Sequence, residues 1–92
     1  MGTLLAWEGG GDGEVVAFAS DVVEILASRP FPPGSRPRSH SVATGALVWV
    51  QVHGSRLEPS GRYRVVGRLI DVTRAVREEL AASLATPPAQ AP

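Results

Sequence analysis

Apolar residues along this chain fall mostly on alternate positions, the period of a half-buried β-strand, until residue 71, where the spacing lengthens to that of a helix. Thr3-Leu4-Leu5-Ala6-Trp7 is a short apolar run that reads as a first strand. It stops at Glu8-Gly9-Gly10-Gly11-Asp12-Gly13, where glycines supply the positive φ angles of a tight reversal. Residues 14–19 and 21–27 follow as two strands rich in Val and Ile, with Ala19-Ser20-Asp21 as the hairpin turn between them. Arg29-Pro30-Phe31-Pro32-Pro33-Gly34 cannot be helical, because its three prolines remove donors and fix φ. It reads as an extended loop whose Phe31 plugs the core.

The clearest strand is 46–53. Its alternate residues separate into Ala46, Val48, Val50 and Val52, which should face the core, and Leu47, Trp49, Gln51 and His53, an amphipathic outer set. Residues 54–61, with Pro59, read as a connection. A second long strand covers 62–70, with Tyr63, Val65, Gly67 and Leu69 on one face and Arg62, Arg64 and Arg68 on the other, beside Val66 and Ile70. These arginines form a stripe on the exposed face of a hairpin. Beyond Asp71, Val76, Leu80 and Leu84 recur every four residues and predict a helix over about 72–85, with Asp71 or Thr73 as N-cap and Pro87-Pro88 beyond its end. Residues 86–92 have the composition of a disordered tail. Five or six short strands and one C-terminal helix predict a mainly β fold: a small antiparallel barrel or sandwich, with the helix covering one open end.

Composition narrows the possible functions. Ninety-two residues suffice for one small domain with a modest core, too small for a large enclosed substrate chamber. The chain has no cysteine, which excludes disulfides, thiolate metal sites and cysteine nucleophiles. No apolar run reaches the roughly 18 residues that span a bilayer. Glu8 and Asp12 stand where a secretory signal would be basic, so the expectation is a soluble cytoplasmic protein. Nine basic residues balance nine acidic ones, unlike a dedicated polyanion binder. The balance is uneven along the chain: residues 1–28 carry five acids and no base, whereas residues 29–77 hold all nine basic residues, every one an arginine.

Candidate chemistry is sparse. The glycine run at 9–13 leads into a Val-rich strand between Glu8 and Glu14, not into a helix N-terminus, so it reads as a turn and not a phosphate loop. His40, in a polar loop, and His53, at a strand end, read as solvent-facing and have no ligand spacing for zinc. Glu78 and Glu79 are adjacent, and adjacent helix positions do not face each other. The sequence therefore predicts no enzyme, metal or cofactor. Arg62, Arg64 and Arg68, joined by Arg56 and by Arg36 and Arg38, either dock an anionic partner or pair with Glu14, Glu24 or Glu58 across strands. Trp49 is either a core residue or an interface anchor, since Trp and Arg are common binding hot spots.

The run Ala27-Ser28-Arg29-Pro30-Phe31-Pro32-Pro33-Gly34-Ser35 resembles the proline-rich loop that follows the third strand of PilZ domains. The order after it is similar too: a strand ending Val52-His53-Gly54-Ser55-Arg56, then Gly61-Arg62-Tyr63-Arg64-Val65-Val66-Gly67-Arg68-Leu69, then a helix with Arg77-Glu78-Glu79-Leu80. The likeness covers about residues 14–85 and implies a PilZ-like barrel as a single domain over 1–85, with a role in bacterial signalling, motility or envelope regulation. PilZ domains that bind cyclic di-GMP carry Arg-x-x-x-Arg before the barrel and [Asp/Asn]-x-Ser-x-x-Gly ahead of the proline loop. No arginine precedes Arg29, and the slots of the second motif fall near Ala17, Ala19 and Val22. The resemblance thus implies a ligand-independent adaptor that binds another protein and not cyclic di-GMP; the arginine stripe and the charge balance add Arg62, Arg64, Arg68, Arg56 and Trp49 as its candidate contacts, with nucleic acid not expected as a ligand. Two alternatives stay open: a small-barrel nucleic-acid binder using the arginine stripe, and a homodimer or larger self-assembly formed through a strand edge or the Trp49 face.

Overall fold

Alternation dictates the architecture. The computed structural model describes residues 2–85, and the predicted tail at 86–92 lies outside them. Six strands, β1 (Leu4–Trp7), β2 (Asp12–Ala19), β3 (Val22–Ala27), β4 (Arg38–Ser41), β5 (Leu47–Leu57) and β6 (Tyr63–Leu69), precede one helix, α1 (Arg74–Ala85). They close into an antiparallel barrel in the order β1-β2-β3-β6-β5-β4. β1 joins the wall between β2 and β4, with Leu5 opposite Gly13 on one side and Ser41 on the other. The expected mainly β fold with a terminal helix is therefore present, as a barrel and not a sandwich. Closure pairs every strand on both sides, which removes the strand edge invoked for self-association.

The inward positions are the aliphatic ones the alternation selects: Leu5, Val15, Val23, Ile25, Val48, Val50, Val52 and Val65 are all buried. The inward position between Val65 and Leu69 on β6 is Gly67, where the two strands approach so closely that a Cβ would lie 2.5 Å from the Gln51 carbonyl oxygen. The turn between β2 and β3 places both Ser20 and Asp21 at positive φ, the backbone of a two-residue turn matched to the twist of its strands.

Helix α1 closes one end. Thr73 is its cap: its Oγ1 accepts the Val76 backbone N–H at 3.2 Å. Val76 and Leu80 enter the core with Val72, and Leu84 packs beside them. The helix begins at Arg74, two residues later than the periodicity predicted. Phe31 closes the other end, as expected of the proline loop. Its ring lies 4.6 Å from that of Trp7, and the Ser55 hydroxyl accepts the Phe31 N–H at 3.0 Å while donating to the Phe31 carbonyl at 2.7 Å.

Two expectations need correction. The polar segment around His40 is strand β4, not a loop: Ser39 and Ser41 point inward and are fully buried, while Arg38 and His40 point outward. The Ser39 hydroxyl donates to the Val48 carbonyl at 2.9 Å and that of Ser41 to Glu79 at 2.6 Å, so small satisfied hydroxyls replace aliphatic packing here. Strand β5 also continues through Leu57, leaving a connection shorter than 54–61. A register shift between Val52 and Gly54 takes up His53 as an extra residue. Unbroken alternation would turn Arg56 inward. The shift instead points Ser55 toward Phe31 and pairs Arg56 with Arg64 on the outside.

Candidate interaction surface

The barrel interior is filled by side chains and both ends are covered, so the outer wall is the surface available to a partner. On β6 the outward positions carry Arg64 and Arg68, with Arg62 just before the strand, as alternation predicted. Their surroundings divide them.

Arg62 and Arg64 are half-buried in ion pairs. Arg62 reaches across the barrel wall to Asp12 at 2.7 Å. Arg64 donates to Glu58 at 3.1 Å and to Glu24 at 2.9 Å, and these two carboxylates raise its pKa above the ordinary arginine value, Glu58 more strongly. Arg56 faces Arg64 directly on β5, a like-charge pair relieved by Glu58, which lies 3.6 Å from Arg56. Glu24, Arg56 and Arg64 border a shallow depression of about 370 Å³ lined also by His53 and Val66. Cross-strand pairing with Glu24 and Glu58, one of the two readings of the stripe, thus describes Arg64, while Arg62 takes Asp12, a partner outside that set.

Arg68 is different. It is exposed and lies opposite Gln51 on β5. Its nearest acidic influence is Asp21, whose carboxylate is already held by Arg77 through Nε at 2.8 Å and Nη2 at 3.1 Å. The Arg77 bonds are the main cause of the lowered Asp21 pKa; partial burial opposes them, and the charges of Arg77 and Arg68 add to the lowering. Arg77 itself is raised above the ordinary arginine value, chiefly by its bond to Asp21.

Trp49 lies on the outer face of β5, half-buried and apart from the core cluster. Its indole N–H donates to the Arg36 carbonyl at 3.0 Å, and the Arg38 guanidinium stacks 4.7 Å above its ring. Trp49 is therefore a residue of the outer wall and not of the core. Sequence reasoning had not joined Arg36 and Arg38 to Trp49. Recognising β4 would have done so, since Arg38 is the direct cross-strand partner of Trp49.

Leu57, at the end of β5, is also exposed, and further apolar surface lies at the helix end. Leu4 and Val42 are exposed beside a cavity of about 420 Å³ that also includes Thr44, Glu79 and Ser83. Among the described residues, no three His, Cys, Asp or Glu side chains gather to hold a metal ion, and no helix is long and apolar enough to cross a membrane. No protein-family model, no curated protein and no solved structure matches the chain.

Proposed function

We propose that the protein is a PilZ-like, non-enzymatic adaptor that acts in the bacterial cytoplasm, in signalling, motility or envelope regulation, by binding another protein through its outer wall. The observation carrying this reading is a barrel packed solid inside and covered at both ends, by α1 and by the Phe31 loop, which leaves surface contact as its means of action. The proline loop supports the PilZ-like likeness, since Arg29-Pro30-Phe31-Pro32-Pro33-Gly34 inserts its single aromatic residue into the barrel mouth. The slots where cyclic di-GMP binders carry polar residues hold Ala17, Ala19 and Val22, which offer a ligand only methyl groups. The first residues likewise supply acids where an anionic dinucleotide needs arginines.

Calorimetric titration of the protein with cyclic di-GMP tests this reading. The expected result is no heat of binding. Saturable binding at micromolar concentration would overturn it.

A further inference from the structure

The arginines fall into two groups, and the division locates a surface. Arg62, Arg64, Arg74 and Arg77 each engage a carboxylate at 3.2 Å or closer, and Arg56 pairs with Glu58 at 3.6 Å. Arg36, Arg38 and Arg68 are exposed, and among the described residues no carboxylate lies within salt-bridge distance of them. The Glu8 backbone N–H bonds the Arg38 carbonyl at 2.9 Å. A fourth arginine without a carboxylate partner, Arg29, lies 4.8 Å over the Phe31 ring at the barrel mouth, whereas Arg36, Arg38 and Arg68 surround one row of β5. Arg38 pairs with Trp49 across β4, Arg36 accepts the Trp49 indole N–H on its carbonyl, and Arg68 faces Gln51 across β6. Leu47, about half exposed, extends the row.

We infer that this face, with Trp49 at its centre, Leu47 at one end and Arg36, Arg38 and Arg68 along its flanks, docks an acidic protein segment that also carries apolar side chains. The inference rests on the adaptor reading and names the chemistry of the partner. Charge complementarity chooses the occupant: three guanidiniums present bidentate donors suited to carboxylates, and the Trp–Leu row offers apolar area between them. A single-stranded nucleic acid fits less well. One side of the Trp49 ring is already covered by Arg38, which limits base stacking, and three cations provide fewer phosphate contacts than nucleic-acid binders commonly use.

The test uses the full chain and a labelled twelve-residue peptide of alternating Glu and Leu, followed by anisotropy at about 50 mM salt, where surface charge is weakly screened. The expected result is saturable binding that weakens as salt rises. Arg36→Gln/Arg68→Gln, which leaves the Arg38–Trp49 stack in place, should weaken binding about tenfold or more. The control Arg29→Gln/Arg74→Gln removes the same charge elsewhere and should leave affinity within about twofold. Thermal melts of both variants confirm that they fold. Absence of saturable binding overturns the inference, as does equal loss in the two double variants. Tighter binding of a single-stranded oligonucleotide than of the peptide also overturns it and reassigns the face to nucleic acid. The cyclic di-GMP titration is read independently. A null result there with no peptide binding rejects this face alone, whereas cyclic di-GMP binding rejects the adaptor reading itself.

Discussion

At one end of the barrel a helix of twelve residues lies across the opening on Val72, Val76 and Leu80, while at the other a single phenylalanine fills the mouth against Trp7. The helix is held redundantly. Besides its apolar face, the Glu79 carboxylate accepts the hydroxyls of Ser41 at 2.6 Å and Thr44 at 3.0 Å, Thr3 bonds Ser83 at 3.0 Å, and Arg77 clasps Asp21. At the loop end one ring supplies the apolar seal, while the Ser55 hydroxyl bonds both backbone polar groups of Phe31, and Gly34 and Ser35 bond the Val52 backbone at 2.7 and 2.8 Å. The difference shows that a small barrel can be sealed either by many modest contacts or by one concentrated plug, and that the two should fail differently.

Phe31→Ala should produce the largest effect, a loss of about 3–5 kcal/mol in urea unfolding, because it opens the mouth beside Trp7 and leaves a cavity. A loss below about 1 kcal/mol would show that the proline loop, and not its ring, seals that end. Leu80→Ala follows at about 2–4 kcal/mol, since the remaining ties keep the helix docked while its most buried side chain is truncated. If Leu80→Ala instead detaches the helix, seen as loss of helical circular dichroism before the barrel melts, the redundancy is broken. Ser55→Ala should cost about 1–2 kcal/mol by removing both bonds to the Phe31 backbone, and it should be strongly non-additive with Phe31→Ala in a double-mutant cycle.

The smallest effect is the most diagnostic of the helix end. Asp21 titrates lower in the folded chain than the ordinary aspartate value of about 3.9, so its contribution is present above that pH and is lost as pH falls through the folded value. Denaturant midpoints of wild type and Asp21→Asn should therefore differ at pH 7 and converge as the pH falls through the lowered folded value of Asp21. A gap that persists in acid would mean that Asp21 acts through its turn backbone and not through Arg77.

Most of the fold was legible because burial obeys a period. Val48, Val50, Val52 and Val65 declare their face by alternation alone, and Val76 and Leu80 declare a helix by recurrence every four residues. Strand β4 was not legible: its inward residues are serines, whose suitability depends on the Val48 carbonyl and the Glu79 carboxylate, groups brought near only by the fold. The end of β5 was hidden for a related reason, since a register shift at Gly54 breaks the period on which strand reading depends. The candidate surface was half legible. Alternation placed Arg62, Arg64 and Arg68 on one face, but only tertiary pairing distinguishes Arg64, gripped by Glu24 and Glu58, from Arg68 beside the Trp49 row.

The strand order has a consequence for how fast the protein folds. β2 with β3, and β5 with β6, are hairpins that form from neighbouring sequence. The wall is complete only when β3 meets β6, with Ile25 opposite Val65, and when β1 meets β4, with Leu5 opposite Ser41. Both seams join distant parts of the chain, so loop entropy must be lost before their contacts repay it. Such non-local wiring sets a folding time of about milliseconds to seconds, in a chain whose length alone would permit microseconds.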